Sequence, residues 1–550
     1  MTYSKNDILE VKIEDIGVNG EGIGKVDGYT LFVKDAIVSD YVRVKITKAT
    51  KTYAYARLVE VLEASPLRVP PKCPVAKSCG GCQIQEMDYK AQLIFKREKV
   101  KNNIERIAGL KDIEVLDTLG MEEPYHYRNK AQYPVRLDKN GEIVAGFYAG
   151  RTHSVIPCDD CVIGDEINVK ILGIIKAFMR KHNIMPYNEE TGKGLVRHIL
   201  LRKGFKTGEL MVCIVINGKN LPYNEELVQE LIKIPDMTSI SLNINKEKTN
   251  VILGQKIINL YGEGYITDYI GLVKFHISPL SFYQVNPEQT HVLYGKALEF
   301  AGLTGKETVW DLYCGVGTIS LFLAKLAKQV YGVEIIPEAI DDARNNAKIN
   351  NINNATFFVG KAEEVLPEYY ENEAKKGNYA RADVIVVDPP RKGCDERLLA
   401  TIIKMSPNKV VYVSCDSATL ARDLKFLTEN GYEVDKVQPV DMFPHSVHVE
   451  TCVLLSHQDV DRHIKIDYVP QNADYMKDVT QKYTYGDITD WVQKNYGFHV
   501  TNLNIAQVKE KCGIEKRPNY NLGKEGHKVP NTPKEKEEAI IEALKYFRAI

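Results

Sequence analysis

The chain has 550 residues, which is too long for one compact core, so we expect three or four domains. Its 72 Lys and Arg residues balance 73 Asp and Glu residues, so any nucleic-acid contact must come from local basic patches. The absence of an apolar run of about 18 residues and the acidic start predict a cytoplasmic protein without membrane association. In that compartment eleven cysteines favour metal or catalytic roles over disulfides.

Residues 1–64 contain four short alternating segments, interrupted by NGEGIGKVDG as a break between strands. This pattern predicts a small antiparallel β-barrel. The stretch IEDIGVNGEGIGKVDGYTLFVKDAIVSDYVRVKI resembles the TRAM domain, a small barrel found on RNA-modifying enzymes. The resemblance implies that this module binds RNA.

A cysteine cluster follows the linker SPLRVPPKCP. Cys73, Cys79 and Cys82 have the spacing C-x5-C-x2-C, and Cys158 and Cys161 come much later. Four thiolates suit either zinc or an iron-sulfur cluster, and the spacing alone slightly favours zinc. The cysteines therefore predict a metal site.

Residues 65–275 read as a mixed α+β central domain. The segment MDYKAQLIFKREKVKNNIERIAG has helical periodicity, and RHILLRKG and LMVCIVING read as strands. The segment YHYRNKAQYPVR interleaves aromatic residues with Arg128 and Lys130. This composition suits phosphate contact and base stacking, and it suits a basic strand face equally well.

From residue 276 to 458, apolar strands alternate with amphipathic helices. This alternation predicts an α/β domain with a doubly wound, mostly parallel sheet of the Rossmann-like type. Residues 459–550 form a polar extension in which ITDWVQKNYG and NIAQVKEKCG keep helical periodicity. The two segments suit a pair of short helices that presents one helix to nucleic acid, or an appendage used for packing or assembly.

The segment TVWDLYCGVGTISLFLAKLA predicts a nucleotide-like site. Asp311, Gly315 and Gly317 lie between a strand and a helix, but Ser320 replaces the third glycine of a dinucleotide-binding pattern. Glu334 ends the next strand, where a carboxylate accepts hydrogen bonds from ribose hydroxyls. A glycine pair after a strand is also common in plain tight turns. Together these features favour S-adenosylmethionine over NAD.

Five motifs carry a more specific resemblance, and they occur in the order seen in bacterial RNA uracil-5-methyltransferases. They are DLYCGVGTISL, GVEIIPEAIDDARNNAKIN, VDPPRKG, YVSCDSATLARDL and DMFPHSVHVETCVLL. The resemblance covers about residues 1–458 and implies an RNA substrate. It further implies that S-adenosylmethionine binds at Gln284, Tyr313, Glu334 and Asp388.

The resemblance also implies a 4Fe-4S cluster held by Cys73, Cys79, Cys82 and a fourth thiolate. Cys161 matches the fourth position better than Cys158, because an apolar pair follows it. The TRAM-like barrel together with the cysteine cluster resembles the enzymes that modify 23S ribosomal RNA, whereas the related transfer-RNA enzymes lack both. We therefore expect a ribosomal RNA substrate and a monomeric enzyme.

The chemistry of uracil explains which catalytic groups are needed. C5 of uracil is a poor nucleophile, so a thiolate first adds to C6, and a base later removes the C5 proton. Cys415 ends the strand KVVYVSC and Glu450 lies in HSVHVETC, and the family motifs assign them these two roles. A buried structural thiol and an ion-paired carboxylate are the plain alternatives. Cys314 and Cys394 lie in neighbouring loops and receive no chemical role.

Three alternative functions remain open at this point. A transfer-RNA uracil-5-methyltransferase would use the same chemistry on another RNA. An amino-directed RNA methyltransferase would use the DPP loop without a nucleophile. A non-catalytic RNA-binding chaperone would keep the barrel and need no cofactor. In folded RNA, methylation of uracil also requires the base to be flipped into the enzyme.

Overall fold

The computed structural model describes residues 3–150, 154–377, 381–458, 485–512 and 532–546. The chain divides into two compact units, residues 1–456 and 457–550. In the described ranges, no helix is both long enough and apolar enough to cross a membrane.

The first unit begins with a closed five-stranded barrel. Its strands are β1 (Ile8–Ile16), β2 (Gly22–Val26), β3 (Tyr29–Lys34), β4 (Tyr41–Ala49) and β5 (Tyr53–Glu63). They close in the order β1-β2-β3-β5-β4. The predicted small barrel is confirmed, but it is not wholly antiparallel, because β3 and β5 run parallel. The alternating apolar residues of its strands fill the interior.

Strand β2 lies within the glycine-rich segment that the sequence predicted to be a break between strands, so that prediction is wrong. Gly22 and Gly24 pair with residues of both β1 and β3. A Cβ atom on Gly24 would lie 2.4 Å from the carbonyl oxygen of Lys12. The glycine therefore allows two strands to approach closely, rather than forming a turn.

Helix α1 (Tyr89–Asn103) continues into one π-helical turn at Ile104–Ala108. Asp88 caps its first turn by accepting hydrogen bonds from two backbone N–H groups. The end of the helix packs into the core beneath the last sheet of the unit, beside Trp310. A segment from early in the chain thus completes a core built from residues two hundred positions later.

A second sheet of seven strands follows, in the order β12-β11-β10-β9-β6-β7-β8. Its strands are β6 (Lys130–Leu137), β7 (Ile143–Tyr148), β8 (Val155–Pro157), β9 (Val196–Lys203), β10 (Leu210–Ile216), β11 (Met237–Ile244) and β12 (Lys256–Tyr261). Only the β10–β11 pair is parallel. Helices α2 (Ile167–Lys181) and α3 (Asn224–Leu231) pack against it. A hairpin of β13 (Ile266–Ile270) and β14 (Val273–Ile277) leads to the last sheet.

The last sheet has the order β17-β16-β15-β18-β19-β21-β20. Its strands are β15 (Thr308–Leu312), β16 (Gln329–Glu334), β17 (Ala355–Val359), β18 (Val384–Val387), β19 (Lys409–Ser414), β20 (Tyr432–Val440) and β21 (Glu450–His457). The helices are α4 (Pro287–Ala301), α5 (Thr318–Leu323), α6 (Pro337–Ile349), α7 (Ala362–Lys375), α8 (Glu396–Met405) and α9 (Ser417–Glu429).

Strands β15 to β19 of this sheet run parallel, and β21 is antiparallel to β19. The predicted Rossmann-like α/β fold is confirmed. The strand order reverses at β15, which pairs with β16 on one side and with β18 on the other. Ligands of such sheets bind at the carboxyl ends of the strands near this reversal.

The described residues of the second unit form three helices, α10 (Tyr485–Tyr496), α11 (Asn502–Lys511) and α12 (Lys534–Tyr546). They share a small apolar core that includes Ile488, Val508 and Ile540. The two predicted helices are present, and α12 was not predicted. The rest of the predicted extension, residues 459–484, 513–531 and 547–550, lies outside the described residues.

Candidate active site

The turn after β15 leaves space at the carboxyl edge of the last sheet. Tyr313 and Gly315 have φ values of 72° and 54°, and a Cβ atom on Gly315 would meet nothing within 4 Å. Ser320, on the helix that follows, donates a hydrogen bond from its hydroxyl to Asp311. Ser320, which replaces the third glycine of the dinucleotide-binding pattern, therefore hydrogen-bonds the buried carboxylate of Asp311. Among the described residues, none hydrogen-bonds the other carboxylate oxygen of Asp311, which is buried.

The next strand contributes a carboxylate and an exposed apolar pair. Glu334 ends β16, and its side chain accepts a hydrogen bond of 3.0 Å from the backbone N–H of Ile336. Ile335 and Ile336 are 58% and 52% exposed, which is unusual for apolar residues beside a sheet. A carboxylate next to an exposed apolar surface suits a nucleoside, because it offers acceptors for ribose and an apolar surface for a base.

Asp388 directly follows β18, on the other side of β15. Burial and the nearby carboxylate of Asp311 raise the pKa of Asp388 to about 7. Burial and the charge of Asp388 raise the pKa of Tyr294, whose hydroxyl is hydrogen-bonded to the hydroxyl of Thr318 over 3.1 Å and lies near the side chain of Gln284. The structure therefore places Gln284 and Asp388 near Tyr294. Sequence reasoning did not single out Tyr294.

Tyr313 occupies the same turn, but its side chain has other partners. Its hydroxyl lies near the backbone N–H of Asp395, at the beginning of α8. Its ring packs against the apolar core on that face of the sheet. A cofactor role for Tyr313 stays a prediction.

Cys415 and Glu450 lie across from each other on neighbouring strands. Cys415 directly follows β19, Glu450 begins β21, and the antiparallel register pairs Ser414 with Thr451. One further step in this register places Cys415 opposite Glu450. Cys415 is partly exposed, whereas Glu450 is only 5% exposed.

The electrostatics of this edge are dominated by buried acidic groups. Burial and the charges of Glu450 and Asp388 raise the pKa of the Cys415 thiol to about 12. Burial and Asp388 also raise the pKa of Glu450 to about 8. The Arg391 guanidinium opposes both shifts. Sequence reasoning did not single out Arg391, although the quoted motif VDPPRKG contains it.

The remaining cysteines of this domain are buried. Cys314 contacts the backbone of its own turn, and the backbone N–H of Cys394 donates to the carboxylate of Asp423. Burial and nearby carboxylates raise the pKa of both thiols. That neither thiol has a chemical role stays a prediction.

The loop that precedes Glu450 is anchored by a buried ion pair. Lys96 on α1 and Asp441 both have side chains that are 0% exposed, and they contact each other directly. Lys96 also donates a hydrogen bond of 3.0 Å to the carbonyl of Phe443. Sequence reasoning missed Lys96, because a lysine on a charged helix usually faces solvent.

A separate cavity of about 290 Å³ brings the predicted cysteines together. Its lining includes Cys73, Cys79, Cys82, Cys158 and Cys161. Within the described ranges, no group of three or more His, Cys, Asp or Glu side chains is already arranged to hold a metal ion. The cavity fits a metal by the chemistry of its donors, and its thiols would have to turn to bind one.

Two basic residues predicted to contact RNA, Arg128 and Lys130, line the same cavity. Burial and the charges of Arg202 and Arg128 lower the pKa of Lys130 to about 7. Burial raises the pKa of the Cys82 thiol to about 12, whereas the neighbouring Cys158 thiol lowers the pKa of Cys161; the Arg128 charge has a smaller lowering effect on both. The structure therefore places positive charge beside the thiols.

The fold and the acidic crevice at the strand reversal define an S-adenosylmethionine-dependent methyltransferase. The model of the tRNA (uracil-5-)-methyltransferase family matches residues 88–458, and the TRAM domain model matches residues 5–59. The chain belongs to this methyltransferase family and carries a TRAM domain, which confirms the resemblance noted in the sequence. It is an RNA methyltransferase, so the non-catalytic alternative is wrong.

Relatives that match over almost their whole length support this assignment. An RNA methyltransferase of Halalkalibacterium halodurans is 51% identical over 453 residues, which cover 82% of this chain and 97% of the relative. One from Clostridium acetobutylicum is 52% identical over 458 residues, covering 83% and 98%.

Among solved structures, the tRNA (uracil-54, C5)-methyltransferase of Pyrococcus abyssi in complex with S-adenosyl-L-homocysteine is similar over 81% of this chain and all of that chain. The TM-score is 0.66 and the sequence identity is 29%. The similarity therefore extends over most of the first unit.

Proposed function

We propose that the enzyme methylates C5 of a uridine in 23S ribosomal RNA through a covalent adduct on Cys415. The observation that carries this proposal is the pairing of Cys415 with Glu450 across two strands, beside Asp388. A thiol and a buried carboxylate at one edge are the two groups that C5 methylation needs. An amino-directed methyltransferase would need no such thiol.

The crevice at the strand reversal fits S-adenosylmethionine. The open space at Gly315 leaves room for a ligand, and the second carboxylate oxygen of Asp311 can accept a hydrogen bond. Glu334 would accept hydrogen bonds from the ribose, and Gln284 and Asp388 would hold the amino-acid end. The Tyr313 turn would contribute backbone. When bound, this cofactor supplies an electrophilic methyl group.

In the proposed reaction, the sulfur of Cys415 forms a bond to C6 of the uracil, and C5 gains electron density. C5 would then take the methyl group as the bond between the methyl carbon and the sulfonium sulfur of the donor breaks and leaves a thioether, and the adduct would be saturated at C5 and C6. Glu450 accepts the proton from C5, the C5–C6 double bond re-forms, and the bond between C6 and sulfur breaks. Arg391 favours the ionised forms of both Cys415 and Glu450. The target base must be flipped out of the RNA to reach the partly exposed thiol.

The cysteine cavity is proposed to hold a 4Fe-4S cluster through Cys73, Cys79, Cys82 and Cys161, with zinc as the weaker alternative. Arg128 and Lys130 on the cavity wall would offset the negative charge of four thiolates. Such a cluster would crosslink two loops that are distant in sequence. Cys158 lines the same cavity, and its thiol donates a hydrogen bond of 3.4 Å to the carbonyl of Asp160.

A transfer-RNA substrate is the second candidate. It is favoured by the similarity to the Pyrococcus abyssi protein, which is a tRNA (uracil-54, C5)-methyltransferase. The combination of a TRAM domain with the cysteine cavity favours ribosomal RNA, by the resemblance described above.

The test is to map 5-methyluridine in 23S ribosomal RNA and transfer RNA from a strain that lacks the gene and from the same strain complemented with it. We expect one or more uridines of 23S RNA to lose the methyl group and regain it on complementation. Loss only in transfer RNA would support the second candidate. Loss of a base-amino methylation instead would contradict the uracil chemistry.

A further inference from the structure

The loop of residues 441–449, here called the base loop, joins β20 to β21 and ends at Glu450. Helix α1 holds it from one side. The backbone N–H of His445 donates to the side chain of Gln92 over 2.9 Å, and Lys99 donates to the carbonyl of Val447 over 2.8 Å. His445 has a φ of 68°, a conformation that a non-glycine residue keeps only where its surroundings impose it.

The other side of the base loop meets the end of the cysteine loop, residues 73–82. The backbone N–H of Ile84 donates to the carbonyl of His445 over 3.1 Å. The backbone N–H of Val447 donates to the side-chain oxygen of Gln83 over 3.4 Å. The side-chain nitrogen of Gln83 donates to the carbonyl of Gly80 over 2.8 Å. The Gln83 side chain therefore links the carbonyl of Gly80 in the cysteine loop to the backbone N–H of Val447 in the base loop.

The barrel closes over this junction. A Cβ atom on Gly20, whose φ is 87°, would lie 3.0 Å from Cβ of Gln83 and 3.1 Å from a methyl group of Val447. The turn between β1 and β2 thus packs on both residues of the bridge at once. Gln83 is partly buried, so solvent competes only weakly for its hydrogen bonds.

We propose that Gln83 is a positioning residue that couples the order of the cysteine loop to the position of Glu450. Gly80 lies between Cys79 and Cys82, and Val447 lies three residues before Glu450, so the coupling path is short. An ordered cysteine loop presents Gln83 in the orientation that holds the base loop. The inference rests on the proposed function, because it concerns the step in which Glu450 removes the C5 proton.

The test compares the full-length wild type with Gln83→Met, which keeps the length of the side chain and removes both hydrogen bonds. The substitution leaves Cys415 and the methyl-transfer step unchanged, so the covalent adduct should form at the normal rate. Its release, which needs Glu450 to remove the C5 proton, should be slow. We expect kcat to fall about three- to tenfold, the scale of one or two hydrogen bonds, with KM for RNA changed less than about twofold. On a denaturing gel with labelled methyl donor, the fraction of RNA bound covalently should rise.

Gln83→Glu separates the two halves of the bridge. It keeps the oxygen that accepts from Val447 and loses the nitrogen that donates to Gly80. We expect the same rise in covalent complex as with Gln83→Met. Wild-type behaviour of Gln83→Glu would overturn the coupling, because the contact to the cysteine loop would then have no effect on the base step.

Asn354→Leu is the matched control. Asn354 is also partly buried, and its side-chain nitrogen donates to the carbonyls of Ala324 and Ala327, away from the base loop. Asn354→Leu should lower the melting temperature as much as Gln83→Met does, without raising the fraction of RNA that is covalently bound. A rise in both variants, or unchanged kcat per folded molecule in Gln83→Met, would contradict the proposal.

Glu450→Gln in the same assay distinguishes a failure of the proposed covalent mechanism from a failure of the Gln83 coupling. If it yields no covalent complex, the proposed mechanism is wrong. If it accumulates the complex while both Gln83 variants behave as wild type, only the coupling is wrong.

Discussion

The active edge and the cysteine cavity are built in opposite ways. At the active edge, strand register places Cys415 opposite Glu450, and buried carboxylates surround them. At the cavity, the five cysteines come from two loops far apart in the chain, and the nearby charges are cations. A site on paired strands is set by the backbone before a ligand arrives, whereas a site on loops takes its final shape with its ligand.

The two sites therefore differ in what their side chains must do. The raised pKa of Glu450 suits a group that exchanges protons near neutral pH. At the cysteine cavity, burial raises the pKa of the Cys73, Cys79 and Cys82 thiols, so a metal would have to displace their protons. One site suits proton exchange near neutral pH, and the other suits thiols that become charged when a metal binds. The following predictions test this difference, in order of decreasing effect.

The largest effect is expected at the catalytic pair. Cys415→Ala should lower methyl transfer more than about 1000-fold, because no adduct can form. It should still bind S-adenosylmethionine and RNA. Glu450→Gln should form the adduct and transfer the methyl group, but should retain the C5 proton and trap a methylated covalent complex. A denaturing gel with labelled methyl donor measures both, and turnover of Glu450→Gln at the wild-type rate would exclude Glu450 as the base.

The second prediction concerns the ligands of the cavity. Anaerobically purified enzyme should contain about four irons per chain. Cys161→Ser should lose the iron, and Cys158→Ser, the matched control three residues away, should keep it. Iron analysis and the visible absorption spectrum report the result. The opposite pattern would make Cys158 the fourth ligand, and stoichiometric zinc after anaerobic reconstitution would replace the iron assignment.

A smaller effect is expected from Arg391. Glu450 must be ionised to accept a proton, and its pKa is raised to about 8, so the rate should rise with pH through that value. The Arg391 charge lowers the pKa of Glu450 and of Cys415, so Arg391→Ala should raise both and move the pH–rate profile to more alkaline pH. Activity should fall most near pH 7, and the difference from the wild type should narrow as the pH rises.

Arg391→Lys is the control for that experiment, since it retains the positive charge. The pH–rate profile of Arg391→Lys should stay closer to that of the wild type than the profile of Arg391→Ala does. A profile that is unchanged in Arg391→Ala would show that this charge does not act on the reacting groups.

The smallest effect is expected from the C-terminal unit, which lies beyond the residues matched by the family model. Truncation after residue 458 should leave methyl transfer to a minimal RNA hairpin unchanged. If the helix pair presents α11 to nucleic acid, the truncated enzyme should bind long RNA more weakly, with a shallower dependence on salt. Equal affinity of both forms across a salt titration would favour a packing or assembly role.

Much of the active edge could be predicted from the sequence, because parallel strands bring their carboxyl ends to one edge whatever the details of packing. Glu334, Asp388 and Cys415 each follow or end an apolar strand, so their shared location follows from strand order. The helices of the last domain follow in the same way from apolar periodicity.

Only the tertiary structure could decide which contacts join distant segments. Lys96 and Asp441 are 345 positions apart, and nothing local distinguishes Lys96 from the solvent-facing lysines of the same helix. The strand at Gly22–Val26 was read as a break, since the need for glycine arises from the strands that pack against it. Arg391, Tyr294 and Gln83 gain their importance only from neighbours across the fold. Local pattern determines which elements form, whereas burial and charge at each site depend on how those elements pack.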